Sequence, residues 1–134
     1  ENNNRNGITL GCDITEKEGT KSITHTMWAL YNKLEARTKH TPHKHNSVAI
    51  DLCLYAPDNG SVYTLMGSEL NEDGTVKNPI RVDWKTNASF MTPPGMWHSH
   101  HNESDEIAWV FPIQDAGLLT HQGILGIEFS KHHE

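Results

Sequence analysis

The sequence predicts an all-β protein of a single domain, folded as a sandwich or barrel of short strands. The chain has 134 residues, which is the usual size of one domain. Short apolar runs recur along it, and compact turn sequences rich in Pro, Gly, Asn and Asp separate them. Many short strands joined by tight turns are typical of β-sandwiches and β-barrels.

The order of the elements follows from these runs. Residues 1–22 are expected to form an N-terminal arm and the first strands, and residues 23–134 the barrel, all within one domain. The predicted barrel strands are residues 23–31, 48–56, 61–66, 80–84, 88–91, 107–113 and 123–129. Only residues 29–37 could instead be argued as a helix, and they lack the length and caps of one. Turns are predicted at residues 57–60, 71–74 and 93–95.

Strand parity sorts two stretches into faces, because side chains alternate between the two sides of a strand. In the first stretch one face is polar or small and carries His43, His45, Ser47, Ala49, Asp51 and Cys53. Its other face is aliphatic and carries Val48, Ile50, Leu52 and Leu54. The second stretch repeats this, with His98, His100, Asn102, Ser104, Glu106 and Ala108 opposite Ile107, Trp109, Phe111 and Ile113. If both histidine faces line one cavity, the apolar faces need cover from N-terminal strands or another subunit, which favours a homodimer or larger homo-oligomer.

Charge and hydropathy exclude several kinds of partner. The formal net charge is −6 with only 11 Lys and Arg residues, which argues against binding of nucleic acid or anionic membranes. No apolar run reaches the roughly 18 residues of a membrane span, and the N-terminus does not resemble a signal peptide. A cytoplasmic protein is therefore expected, with secretion left open because the chain does not begin with Met. Cys12 and Cys53 are expected to be buried free thiols.

Histidine is the residue type that points to function. The chain has 10 histidines, and two clusters hold His40, His43, His45, His98, His100 and His101. Two histidines at i and i+2 of a strand project from one face about 7 Å apart, close enough for both to reach one ion. The Pro-Pro-Gly turn at residues 93–95 reverses the chain sharply before the next strand, and that strand carries His98 as a third imidazole. Three imidazoles with open positions are typical of a catalytic metal site.

These motifs resemble those of the cupin superfamily. Residues 43–45 are similar to the His-x-His of the first cupin motif, and residues 93–102 fit the second motif, Pro-x-Gly-x-x-His-x-x-x-Asn, in full. The resemblance covers residues 38–115 and implies a jelly-roll barrel, the double-stranded β-helix. The glutamate of the first motif is absent, with Ala49 and Ile50 in its place, so a site of three histidines and one glutamate is not implied.

Residues 92–106 resemble the Thr-Pro-x-x-x-Trp-His-x-His-x-Asn-Glu-x-x-Glu stretch of gentisate 1,2-dioxygenase and related ring-cleaving dioxygenases. That resemblance implies Fe(II) held by His43, His45 and His98. It also implies that His100 faces the substrate as a hydrogen-bonding or proton-transferring group and that Trp97 walls the pocket.

Asp51 is expected to lie in the same pocket, by strand parity, where it would either orient a ligand imidazole or contact the substrate; a β-bulge would instead leave it exposed. The resembling family often carries an arginine there, and Asp51 cannot pair with a substrate carboxylate. The preferred substrate should therefore be less anionic than gentisate.

The implied function is a dioxygenase that uses one divalent metal and O₂ on a small chelating organic substrate. Fe(II) is the preferred metal, and Zn, Mn, Ni and Cu stay open because imidazole suits them all. Two other functions also stay open. One is a lyase, isomerase or hydrolase with the metal as Lewis acid and His100 as general base. The other is a ligand-binding cupin without catalysis. His25, His101 and His121 are expected at structural or surface positions.

Overall fold

The computed structural model describes residues 6–131, which contain strands and two short helices. In chain order the elements are β1 (Asn6–Leu10), α1 (Asp13–Glu18), β2 (Trp28–Leu34), β3 (Thr38–Lys39), β4 (His43–His45), β5 (Ala49–Tyr55), β6 (Val62–Gly67), β7 (Ile80–Asp83), β8 (Ser89–Thr92), β9 (Trp97–Asn102), β10 (Ala108–Gln114), α2 (Ala116–His121) and β11 (Ile127–Phe129). Every predicted strand overlaps an observed one, so the all-β prediction is confirmed.

Two antiparallel sheets form the body of the protein. The first sheet has the strand order β1-β2-β10-β5-β8. The second has the order β11-β4-β9-β6-β7, and β3 pairs with β9 beside this path. The chain passes repeatedly from one sheet to the other, as in a jelly roll. The jelly roll implied by the sequence motifs is therefore present.

Strand parity is confirmed in both stretches that predicted it. In β5, Ala49, Asp51 and Cys53 are buried while the residues between them are half-buried or exposed. In β10, Ala108, Val110 and Pro112 are buried while the intervening aromatic and aliphatic residues are only half-buried. A register shift between Trp109 and Val110 leaves this alternation intact. Both stretches therefore present their predicted inward faces to the interior, with the exception of Glu106, which is exposed.

The apolar core fills one part of the space between the sheets. It consists of Leu34, Cys53, Ala56, Val62, Trp84, Ala108 and Val110, with Phe90 packed against it. Leu34 is the last residue of β2, which pairs with β1 on one side and with β10 on the other. Residues 29–37 are therefore not helical. Pairing on both edges, rather than local propensity, decides the structure of this segment.

The two helices were not predicted. α1 has only six residues, begins after the exposed Cys12 and is followed by Gly19, whose left-handed φ of 79° caps its C-terminus. The expectation that Cys12 is buried is therefore wrong, whereas Cys53 is buried. α2 lies between the predicted strands of residues 107–113 and 123–129 and ends at His121. No helix within residues 6–131 is long and apolar enough to cross a membrane.

The outer face of the first sheet is apolar and open to solvent. Ile8 on β1, Ile50 on β5 and Met91 on β8 are 67%, 51% and 55% exposed. Tyr31 and Trp109 lie between them with ring centroids 5.0 Å apart. β1 extends the edge of this sheet rather than covering its face. The N-terminal strand therefore does not cover the apolar face of this sheet, for which strand parity predicted cover by N-terminal strands or another subunit.

Candidate metal centre

Three buried imidazoles converge between the two sheets. β4 contributes His43 and His45 from one face, and β9 contributes His98, the pairing partner of His43. One ligand nitrogen from each ring lies within 4.8 Å of the other two. The ring centroid of His98 is 4.0 Å from that of His43 and 4.9 Å from that of His45. The structure therefore brings together the three predicted ligands, and this donor set fits a divalent metal.

Hydrogen bonds fix the orientation of His45. Its Nδ1 lies 2.8 Å from the backbone carbonyl oxygen of Ser47 and 3.1 Å from Ser47 Oγ. A carbonyl oxygen only accepts, so Nδ1 carries the hydrogen and Nε2 carries the lone pair that a metal needs. Ser47 Oγ in turn donates to Gln114 Oε1 at 2.7 Å. Outer hydrogen bonds of this kind orient metal-binding imidazoles.

His98 is oriented by the turn that precedes it. Its Nδ1 donates to the carbonyl oxygen of Met96 at 3.0 Å, which again leaves Nε2 as the ligand nitrogen. Gly95 has a φ of 74°, and the Met96 N–H donates to the Pro93 carbonyl at 3.3 Å, as in a type II turn with glycine at its third position. The Gly95 N–H donates to the His45 carbonyl at 2.8 Å. The turn is therefore tied to the strand that carries the other two ligands.

The three ligands share one cavity with residues of both sheets. The other lining residues are Trp28, Leu30, Asn32, Ala49, Asp51, His100, Val110, Pro112 and Gln114. Strand parity had assigned Asp51 and His100 to this cavity, and the structure places both there. β2 contributes three of the lining residues, so the N-terminal part of the chain completes the wall.

His100 lines the cavity but stands apart from the three ligands. Its ring centroid is 5.8 Å from that of His98. Its Nδ1 lies 2.7 Å from Thr64 Oγ1, which accepts a hydrogen bond from Trp84 Nε1 at 2.8 Å. Because the indole N–H can only donate, a consistent chain runs from Trp84 through the Thr64 hydroxyl to His100 Nδ1. When the Thr64 hydroxyl donates to Nδ1 in this chain, neutral His100 carries its hydrogen on Nε2.

Asp51 places a buried carboxyl group on the cavity wall. The residue is 3% exposed, and Thr92 Oγ1 donates to its Oδ2 at 3.3 Å. Burial raises the pKa of Asp51 to about 7, although the hydrogen bond from Thr92 favours the charged form. Near neutral pH this carboxyl group can therefore either donate or accept a hydrogen bond.

Trp97 does not line this cavity. It directly precedes His98 on β9, so its side chain leaves the opposite face of the strand. There it lines a separate pocket beside Phe129, and the Lys44 ammonium lies 4.7 Å from the centroid of its ring. Trp28 supplies the aromatic wall of the metal cavity instead.

Asn32 and Gln114 are polar cavity residues that sequence reasoning missed. Asn32 is buried, and its Oδ1 has no hydrogen-bond partner within residues 6–131. Gln114 supports His45 through Ser47. The alternation of β2 would have identified Asn32 once residues 28–34 are recognised as a strand, because it shares the parity of Trp28 and Leu30.

The remaining histidines of the two clusters lie beside the cavity. His101 points to the other face of β9, as parity predicted, where its ring stacks on Tyr63 at a centroid distance of 4.9 Å. His40 is buried, and its backbone N–H donates to the carbonyl of His100 at 2.8 Å. Their rings meet edge to face at a centroid distance of 5.5 Å.

Comparison with known proteins identifies the fold. No family model matches the chain, and no curated protein matches it. Among solved structures, a salicylate 1,2-dioxygenase from Pseudaminobacter salicylatoxidans superposes with a TM-score of 0.73 at 21% sequence identity. The match covers 95% of this chain and 32% of that enzyme.

Two further structures agree. A variant of the same dioxygenase in complex with gentisate has a TM-score of 0.74 at 20% identity, over 97% of this chain and 32% of that one. A recombinant oxalate oxidase in complex with glycolate has a TM-score of 0.66 at 17% identity, over 96% of this chain and 56% of that one. The chain therefore has the cupin jelly-roll fold, and it spans less than two thirds of the length of each neighbour.

Proposed function

We propose that this protein is a metal-dependent dioxygenase that acts with O₂ on a small chelating organic substrate. The observation that carries the proposal is the convergence of His43, His45 and His98 in a cavity that His100 also lines. Neighbours of the same fold that are named as a dioxygenase and an oxidase support it.

The donor set fits one divalent metal per chain. His43, His45 and His98 would hold the ion through neutral imidazoles, and hydrogen bonds at Nδ1 already orient two of the three rings. We propose Fe(II) as the metal, since imidazole ligands with open positions are found in non-haem iron oxygenases; Zn, Mn, Ni and Cu are the alternatives that metal analysis tests. When bound, the ion would supply a cationic centre with coordination positions open to a chelating substrate and to O₂.

Cavity side chains would orient the substrate. His100 would donate a hydrogen bond from Nε2 to a substrate oxygen, and a fixed donor stabilises negative charge that develops there. Asn32 Oδ1 would accept a hydrogen bond from a substrate hydroxyl, because a buried acceptor is stabilised once it is paired. The two residues would hold a polar substrate in one orientation.

Asp51 would restrict the charge of the substrate. Its carboxyl group becomes negative as the pH rises through its pKa of about 7, and it then repels a second carboxylate. We therefore propose a hydroxylated or dicarbonyl substrate without a carboxylate near that wall. Gentisate and salicylate are the charged comparison compounds.

The test is anaerobic reconstitution of the purified protein with Fe(II), followed by oxygen uptake on neutral and carboxylated candidates. The wild-type protein should consume O₂ together with a neutral chelating substrate. His98→Ala should lose both the metal of the buried centre and oxygen uptake, while the matched variant His101→Ala, on the same strand but its other face, should retain both.

Two results would overturn the proposal. Product formation at an equal rate without O₂ would show a lyase, isomerase or hydrolase reaction at the metal. Absence of metal from the reconstituted wild-type protein would remove the metal centre itself.

A further inference from the structure

A second group of metal-ligating side chains lies on the surface, outside the histidine cavity. Glu18 ends α1, His25 lies in the loop that follows, and His121 ends α2. One ligand atom from each of them lies within 4.8 Å of the other two. We propose that these three side chains form a second metal site, which binds a zinc-like divalent cation and is independent of the buried centre.

The distances match the requirements of such a cation. The Glu18 carboxylate lies between the two imidazoles, with Oε1 3.1 Å from His25 Nε2 and Oε2 3.7 Å from His121 Nε2. Adjacent ligands of a tetrahedral zinc ion, at bond lengths of about 2.0 to 2.1 Å, are roughly 3.3 to 3.4 Å apart. The two observed separations, each to a different oxygen of Glu18, lie on either side of this value, and the three ligand atoms all lie within 4.8 Å of one another. Two histidines and one glutamate are also a ligand set that zinc uses.

Backbone contacts hold the two histidines near each other without help from an ion. The Leu118 N–H of α2 donates to the carbonyl oxygen of Thr26, next to His25, at 3.0 Å. Gly117 packs so closely on this loop that an added Cβ would lie 2.7 Å from the Thr26 carbonyl carbon. α2 is therefore docked directly on the loop that carries His25, and the site is largely preorganised.

The environment suits an exchangeable surface ion. The side chains of His25, Glu18 and His121 are 57%, 41% and 32% exposed, so solvent reaches the site and water can fill the fourth position. Exposed ion pairs alone contribute little to stability, whereas a bound ion stabilises by mass action the arrangement that it bridges.

The bridged elements adjoin the metal cavity. The loop leads into β2 at Trp28, and α2 follows β10 shortly after Gln114. Trp28 and Gln114 both line the metal cavity. An ion at the second site would therefore act as a clamp on the chain segments that enter and leave this wall.

Equilibrium dialysis of the full chain against Zn²⁺ tests the proposal. The wild-type protein should bind two ions per chain, one at each centre. Glu18→Gln and His121→Asn should each weaken the surface ion by more than about 100-fold, since even outer partners of metal ligands contribute 10- to 100-fold, and should retain the buried one. Glu16→Gln is the matched control, because it makes the same change at another exposed position of α1 and should still bind two ions.

A second measurement separates this site from the buried one. Zn²⁺ should raise the unfolding temperature of His98→Ala, which retains only the surface site, and should not raise that of His98→Ala combined with Glu18→Gln. If His98→Ala does not fold, the dialysis comparison of Glu18→Gln with Glu16→Gln decides the question alone. Equal zinc binding by these two variants overturns the proposal and leaves the dioxygenase proposal untouched.

Discussion

The backbone N–H of Gly95 donates to the carbonyl oxygen of His45 over 2.8 Å, which joins the turn of the second motif to the ligand strand of the first. The same turn presents the Met96 carbonyl that orients His98. One left-handed glycine thus sets the position of ligands on two strands. The two motifs are therefore coupled through backbone geometry.

Substitution of Gly95 should weaken metal binding. Its φ of 74° disfavours a side chain by about 1 to 2 kcal/mol, although an added Cβ would meet no atom within 4 Å. In Gly95→Ala the turn relieves this strain by shifting, which displaces His98, and metal affinity should fall by up to about tenfold. Gly123→Ala is the matched control, since Gly123 has a φ of 70° and the same open surroundings away from the metal centre. Competition with a chelator measures both affinities, and equal losses in the two variants would contradict the coupling.

Much of the site follows from the sequence because two strands alternate over a long enough stretch. Parity assigned Asp51 and His100 to one cavity, and the spacing of His43, His45 and His98 predicted that their three imidazoles converge there. Parity is a property of the backbone, so it survives the register shift in β10.

Other features depended on contacts that no local pattern records. The family resemblance gives the place of Trp97 in a motif but not the face from which its side chain leaves β9. Asn32 was missed because the predicted strand ended at residue 31, whereas pairing with β1 and β10 extends β2 to Leu34. Glu18 and His121 lie far apart in the chain, and only the docking of α2 brings them together.

The carboxyl group of Asp51 should give the metal-free protein a pH-dependent stability. Because burial raises its pKa to about 7, the folded protein keeps a proton that the unfolded chain releases near pH 4. The free energy of unfolding should therefore fall as the pH rises from about 4 to 7, by at most about 4 kcal/mol. Asp51→Asn stays neutral and should lack this decline, and every other titratable group is the same in both proteins. Urea unfolding across this pH range, with chelator present, makes the comparison, and identical pH profiles would show that folding does not raise the pKa of Asp51.

The Thr64 hydroxyl should act as a positioning group for His100. Thr64→Val keeps the shape of the side chain but removes the oxygen that joins Trp84 Nε1 to His100 Nδ1. The buried indole N–H then loses its partner, which costs about 1 to 3 kcal/mol of stability, and the imidazole is free to change tautomer. We expect unchanged metal content, a turnover reduced by up to about 10²-fold and a shifted pH profile of turnover.

Thr64→Ser provides the control for this prediction, because it restores the hydroxyl group and should recover most of the turnover and the original pH profile. A purely structural role would predict the opposite ranking, since valine fills the buried space better than serine. A higher turnover in Thr64→Val than in Thr64→Ser would therefore contradict the proposed hydrogen-bond chain.

The outer face of the first sheet should form the contact between two copies of the chain. Ile8, Ile50 and Met91 leave a continuous apolar surface around the Tyr31 and Trp109 rings, and monomeric proteins seldom expose such a surface. A twofold contact would pair each apolar strand face with its own copy, as in most soluble homodimers.

Light scattering at micromolar concentration should thus give twice the mass of one chain. Ile50→Lys should give the mass of one chain, because a lysine at the centre of the contact would be buried without a partner. Ile80→Lys makes the same change at an exposed isoleucine of β7 on the other sheet and should remain dimeric. A monomeric wild-type protein would show that the contact does not form. Dissociation by Ile80→Lys alone would place the contact elsewhere.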